Sequence, residues 1–231
     1  MKAESPETAS FLLEIGVEEL PAADAAAAAR QAGELTRSAL AAARLPADEN
    51  DIAVWVTPRR IAIYVKGVSA HQASEEVSER GPLVNVAFDD KGAPTRAAAG
   101  FARAKGVAVE ELTVREHEGL EFVFAVRRRE GRPAAEVLPE LCRNLIHSFT
   151  FSRTMRWNGS DLRFPRPVRW LVAKYGELTL PFAAAGLKSG DTSFGHRFLS
   201  GGEVRIEAAD EYQEAMASAG VVVDQLKRRR I

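Results

Sequence analysis

Residues 52–68 read IAVWVTPRRIAIYVKGV, and no other stretch limits the fold as sharply. Two β-branched and aromatic runs, Ile52–Val56 and Ile61–Val65, flank TPRR, and Pro58 suits the second position of a turn. Such a hairpin commits the chain to antiparallel sheet. Phe11–Gly16, FLLEIG, is a further apolar run ended by Gly and reads as a strand. Pro21 then opens an alanine-rich helix to about Arg44, because Pro is tolerated in a first helical turn and Ala is the best helix former. Glu18, Glu19 and Asp24 lie near that start, where the helix dipole favours negative charge.

Beyond polar HQASEEVSERGP, residues 94–105 read as a helix closed by Gly106. Leu112–Arg115 and Phe122–Arg127 form a hairpin across EHEG. Residues 133–149 keep apolar side chains at helical spacing through Val137, Leu138, Leu141, Leu145 and Ile146. Val168–Tyr175 and Glu177–Phe182 read as paired strands around Gly176, and a strand near Val204–Ile206 leads to a helix that Gly220 terminates. VVVDQLKRRRI has the pattern of an amphipathic helix beginning and then cut. Strands and helices interleave without a regular βα repeat, so the fold class is α+β, mainly antiparallel sheets with packed helices, ending in the start of a helical region. The expected organisation is a flexible tail over 1–10, a first α+β lobe over 11–150, a strand-rich lobe over 151–208 and a truncated helical region over 209–231.

Composition narrows the functional classes. At 231 residues, 46% hydrophobic and 27% charged, the chain can bury a sizeable core. No apolar run reaches the roughly 18–20 residues of a membrane helix, and Met1–Ser10 lacks the basic start and apolar stretch of a secretory signal. The lone Cys142 sits in an apolar helical pattern and suits a reducing cytosol. The net charge of −1 gives no overall attraction to a polyanion. Its distribution is uneven. Residues 1–30 hold six acids against Lys2 and Arg30, whereas residues 143–170 hold six arginines against Asp161.

Catalytic machinery is hard to assemble from these residues. The histidines, His71, His117, His147 and His196, are scattered and lack metal-ligand spacing. Ser200–Gly202 lacks the Lys and helix that follow a phosphate-binding loop. KSGDTS offers hydroxyls with no histidine at useful spacing. The three glutamates of EIGVEELP read most simply as exposed acids before a helix plus one salt-bridge partner.

The basic stretch is TMRWNGSDLRFPRPVRW, Thr154–Trp170. Pro165 and Pro167 push Phe164 and Arg166 toward extended backbone. In a polyproline geometry Arg163, Arg166 and Arg169 share one face about 9 Å apart, a row able to follow a sugar–phosphate backbone with rings nearby for unpaired bases. In a plain strand Arg166 points away from the other two. The competing reading is internal: guanidinium stacks on Trp and pairs with carboxylates inside proteins too.

LLEIGVEELP (Leu12–Pro21), TPRRIAIYV (Thr57–Val65), GAPTRAAAGFARAKGV (Gly92–Val107), TMRW with RFPRPVRW, and GHRFL (Gly195–Leu199) occur in series. Together they resemble the N-terminal part of the beta subunit of bacterial glycyl-tRNA synthetase, from Leu12 onward. The resemblance implies part of a cytoplasmic heterotetramer that ligates glycine to its tRNA, with no cofactor site in this segment. ATP and magnesium would be used at the alpha subunit, which activates glycine. The implied partners are the alpha subunit, glycine tRNA and the rest of the beta chain, with no membrane, and the abrupt ending fits a longer chain of this family. Its motifs name no catalytic residue here, so the RNA-binding candidates rest on chemistry: Arg156, Arg163, Arg166 and Arg169, then Arg59 and Arg60 on their turn, then His196 and Arg197 beside Gly195. For the last pair the plainer reading is a hydrogen-bonded corner between strands. The rival functions are a purely structural scaffold within the same subunit and an editing module, the latter without a nucleophile–base pair to support it.

Overall fold

The computed structural model describes residues 8–200 and 202–231. In chain order the first half runs β1 (Thr8–Val17), α1 (Ala22–Ala42), β2 (Ile52–Thr57), β3 (Arg60–Ser69), β4 (Glu75–Leu83), α2 (Val84–Ala87), α3 (Arg96–Lys105), β5 (Thr113–His117) and β6 (Leu120–Arg129). The second half runs α4 (Ala134–Ser148), β7 (Met155–Arg156), β8 (Arg163–Phe164), β9 (Val168–Tyr175), β10 (Leu178–Thr179), β11 (Ala183–Ala184), β12 (Leu187–Lys188), β13 (Thr192–Phe194), β14 (Glu203–Arg205), α5 (Tyr212–Ser218) and α6 (Gln225–Arg228).

β1 is buried from Ser10 to Val17, so it needs partners on both edges and cover on both faces. It obtains both. The main sheet has the order β10-β9-β1-β3-β2, and β1 pairs antiparallel with β3 and with β9. Phe11, Leu13 and Ile15 join Ile61, Ile63 and Leu171 on one face. That face packs on Ala28, Ala32 and Leu40 of α1 and on Leu138, Leu141 and Leu145 of α4. Small residues at four-residue intervals along α1 let the helix lie close. Leu12, Ala62 and Val172 point the other way and are covered by Ile206, Ala209 and the α5 residues Tyr212 and Met216.

Of the described residues, 8–72 and those from Arg132 onward form one compact unit, and Ala73–Gly131 form a second. The second is a three-stranded sheet, β4-β6-β5, with α2 and α3 on one face around Ala87, Ala98 and Val123. Thr95 caps α3 by accepting from the Ala97 N–H at 3.2 Å, and Gly106 closes it at φ 69°.

The α+β class, the β2–β3 hairpin, α1, α3, α4 and the β5–β6 hairpin lie where the sequence places them. Five expectations change. The stretch read as polar linker contains β4, an edge strand whose Glu75 and Glu79 meet Arg129 at 3.6 Å and Arg127 at 3.3 Å. Two arginines of RRREGR, residues 127–132, are therefore in cross-strand ion pairs. The strand expected over 177–182 shrinks to Leu178–Thr179, since Pro181 has no N–H to extend a ladder. Residues 221–231 form only the four-residue α6, capped by Asp224. Finally, the division at 150 does not follow the hydrogen bonding, because β9 closes the same sheet as β1. Of the expected tail, Thr8–Ser10 belong to β1, and residues 1–7 lie outside the described residues.

Candidate nucleic-acid interface

Behind the basic surface lies a buried anchor. Glu14 projects from β1 onto the face of the main sheet that α5 covers and is fully enclosed. One carboxylate oxygen accepts from the Trp170 indole N–H at 2.8 Å and from the Ser193 hydroxyl at 2.8 Å, and it meets Arg60 at 3.3 Å. Arg60 is 2% exposed and also donates to the Phe194 carbonyl at 2.6 Å. Its partner in register is Gly16, where an added Cβ would stand 1.9 Å from the Trp170 ring. The indole fills the space that glycine leaves. Burial, and then the Glu14 carboxylate, raise the proton affinity of the Tyr212 phenol beside this pair. Arg60 is thus not an RNA-binding side chain: strand alternation turns it onto the face that α5 covers. The three-glutamate segment divides as its plainest reading has it, with Glu14 paired inside and Glu18 and Glu19 outside.

Glu18 and Glu19 sit where three segments meet. The backbone N–H of Val17 donates to Arg59 O at 2.8 Å, that of Glu18 to Pro167 O at 3.0 Å, and that of Leu20 to Pro58 O at 2.6 Å. The Glu18 carboxylate lies 3.3 Å from Arg169 and 3.7 Å from Arg197. Arg166 donates to the Glu19 carbonyl at 3.1 Å. Arg169 is still 60% exposed, and Arg166 is exposed as well. The Glu18 pairs are open, screened contacts of the kind worth about 0–1 kcal/mol, so Glu18 and the Glu19 carbonyl orient the arginines without withdrawing them from solvent.

The proline segment follows neither simple geometry. Arg163 lies in β8 and is the register partner of Arg156 in β7, so two exposed arginines stand directly opposite each other on a two-stranded ribbon. Like charges in that arrangement repel. Arg163 is positioned by the Thr154 hydroxyl at 3.3 Å, and neither arginine has a carboxylate partner among the described residues. The rings divide differently from expectation. Phe164 enters the core beneath α1 and α4 and Trp170 the core beneath α5, which leaves Trp157 as the exposed ring of this stretch. Its indole N–H donates to Phe164 O at 2.9 Å, which orients the ring, and the residue is 38% exposed.

The β2–β3 turn and GHRFL, far apart in sequence, line one cavity of about 460 Å³ together with Gly220–Val222 and Arg228. Burial, then Arg197 and Arg60, hold the Arg59 guanidinium below its usual proton affinity, against the pull of Glu18 and Glu19. An anion there would relieve that repulsion. Arg228 is committed to the fold, since it donates to the carbonyls of Val56 at 2.7 Å, Val222 at 2.7 Å and Val223 at 2.6 Å. The His196 imidazole accepts the N–H groups of Phe198 at 3.2 Å and Leu199 at 3.3 Å, which makes it a turn-capping group. Arg197 projects from that turn, exposed, toward Glu18 and Glu19.

Arg59, Arg166, Arg169 and Arg197 are therefore gathered around Glu18 and Glu19, while Arg156 and Arg163 form a neighbouring stretch of the same chain. Arg60 and His196 serve the structure. Arg228, which within the terminal KRRR run reads as a solvated charge, is instead half-buried and bonded to three backbone carbonyls.

The chain matches, over residues 11–231, the family described as glycyl-tRNA synthetase beta subunit. It is 41% identical over 96% of its length to the glycine–tRNA ligase beta subunit of Desulforamulus reducens. The corresponding subunits of Desulforudis audaxviator and Moorella thermoacetica are 43% and 40% identical, again over 96% of this chain. In each case the chain spans 32% of the relative.

Proposed function

Because the chain belongs to the glycyl-tRNA synthetase beta subunit family, we propose that it is the N-terminal, tRNA-contacting and assembly portion of a heteromeric glycine–tRNA ligase. Its partners in this reading are the alpha subunit, glycine tRNA and the remainder of the beta chain. Glycine activation with ATP and magnesium belongs to the alpha subunit, and the complex works in the cytoplasm. No described helix is long and apolar enough to cross a membrane.

The observation that carries the reading is the Arg156–Arg163 pair. Two arginines opposed on an exposed ribbon cost stability unless a polyanion lies across them. Arg166 and Arg169 continue the basic surface, and Trp157 offers a ring to an unpaired base. The test is charge reversal, Arg156→Glu with Arg163→Glu, measured by tRNA binding across salt concentrations. Binding weakens and the salt slope falls by roughly 0.7–0.9 for each phosphate that is no longer neutralised, while the melting temperature holds, because two opposed glutamates repel as the two arginines did. An unchanged slope with collapsed stability would overturn the reading in favour of a scaffold, for which the buried Arg60–Glu14 pair is the supporting observation. The chain alone produces no glycine-dependent ATP–pyrophosphate exchange; measurable exchange would refute that assignment.

A further inference from the structure

The unit formed by residues 73–131 has one covered face and one open face. Val123 points toward Ala87 and Ala98, under the helices. Register puts the opposite set together: Glu76, Ser78 and Arg80 on β4, Leu120, Phe122, Phe124, Val126 and Arg128 on β6, and Thr113, Arg115 and His117 on β5. Glu76, Ser78 and Arg80 are exposed while their neighbours Glu75, Val77 and Glu79 are half-buried, and every residue of β5 is exposed. Two phenylalanines therefore stand, half-buried, in the middle of a solvent-facing sheet.

Their immediate neighbours are cations. The Arg80 guanidinium lies 4.9 Å from the Phe122 ring centroid, and that of Arg115 lies 5.7 Å from the Phe124 centroid. His117 meets Phe122 edge-on at 6.3 Å. Arg115 is steadied by the Ser78 hydroxyl at 3.3 Å. Arg80 and Arg115 have no carboxylate partner among the described residues, and the acid on this face, Glu76, stands opposite Arg128. A protein-docking face has an apolar centre depleted in charge. Here Leu120, Phe122, Phe124 and Val126 make an apolar line along β6, but the guanidinium groups of Arg80 and Arg115 lie against its two rings, so its centre is not depleted in charge, and the Ser78 and Thr113 hydroxyls flank it. Phe122 and Phe124 are two residues apart on one strand, about 7 Å, which gives each ring room for its own base.

We propose that this open face of β4, β5 and β6 binds single-stranded RNA, with unpaired bases stacking on Phe122, Phe124 and their guanidinium neighbours while Arg80, Arg115 and Arg128 meet the phosphates. This is a second RNA surface, on residues other than those of the Arg156–Arg169 stretch, and it stands or falls separately. Stacking tolerates any base, so sequence preference on this face is weak.

The 231-residue chain is titrated with a short fluorescein-labelled oligouridylate and with an RNA duplex of equal length. Replacing both rings, Phe122→Leu with Phe124→Leu, keeps apolar bulk and weakens single-strand binding roughly 10-fold or more, with the salt slope unchanged. Arg115→Ala weakens binding and lowers the slope by about 0.7. The duplex competes poorly. With the parent chain, an oligouridylate carrying 4-thiouridine crosslinks within residues 113–128, which requires no variant to fold. The proposal fails if the leucine variant melts normally and binds as tightly as its parent, if duplex competes equally, or if crosslinks map to residues 154–170 alone. Protection of this face by the alpha subunit, with oligouridylate binding unaffected, would also overturn it.

Discussion

Gly16 and Trp170 depend on each other. The indole occupies the volume that any Cβ at position 16 would need, so Gly16→Ala drives a carbon into the ring. A loss of about 1–3 kcal/mol is expected, the usual cost of overpacking, and urea denaturation measures it. The Glu14–Arg60 pair has the larger effect. Arg60→Leu leaves an enclosed carboxylate uncompensated, and about 3–5 kcal/mol is expected to be lost. Converting Glu14→Gln in the same chain should restore part of it, a recovery that a double-mutant cycle reads directly. The sequence showed Arg59 and Arg60 as equals on a turn, and strand alternation separates them. Arg60 shares a face with Ala62 and Tyr64, which a local pattern does reveal. That this face is roofed by α5 and by β13 with β14 depends on residues more than 130 positions later, which no local pattern contains.

Elements were legible where their own residues determined them. The β2–β3 hairpin carries its turn chemistry and its β-branched runs, and α3 carries both caps. β4 was not legible, because both of its faces are mostly polar, Glu75, Val77 and Glu79 on one and Glu76, Ser78 and Arg80 on the other, and what makes it a strand is the arginine-bearing β6 beside it. The helix α4 gives an element-level prediction. Cys142 lies on its inner face, completely buried, and burial pushes its thiol far above the usual range. Alkylation at neutral pH should therefore be negligible in the folded chain and should proceed at the rate at which α4 leaves the sheet. Mass spectrometry of iodoacetamide-treated samples at increasing urea checks this, and rapid labelling without denaturant would contradict it. The GHRFL turn yields another. His196→Ala removes the acceptor of two backbone N–H groups, with about 1 kcal/mol expected, and it should loosen Arg197 more than it lowers the melting point. Hydrogen exchange at Phe198 and Leu199 is the direct measure.

At the scale of the molecule, the chain leaves the first unit and returns at almost the same point. Gln72 N–H donates to Arg132 O at 2.9 Å, and Ala134 N–H to Ala70 O at 2.7 Å. Replacing residues 73–131 by a short Gly–Ser link should accordingly leave the five-stranded sheet folded, with its melting transition still cooperative. Calorimetry decides it: loss of the transition would show that the first unit needs the inserted one. An insertion is hard to see in a sequence because both its joints are ordinary loop, and the divisions read from composition fell instead at residue 150. The basic surface was legible as chemistry, from arginine density alone, while its division into solvent-facing and internal side chains required the fold.

The central position of β1 also orders events in time. During synthesis it meets β3 soon after leaving the ribosome, yet its other edge stays bare until residues 168–175 emerge. At about 5–20 residues per second, that is a delay of many seconds. The inserted sheet, whose strands are all made within the interval, can finish first. A nascent chain of this design is most vulnerable to mispairing along the Phe11–Val17 edge, and a chaperone guarding it would have to let go only once β9 is through the exit tunnel.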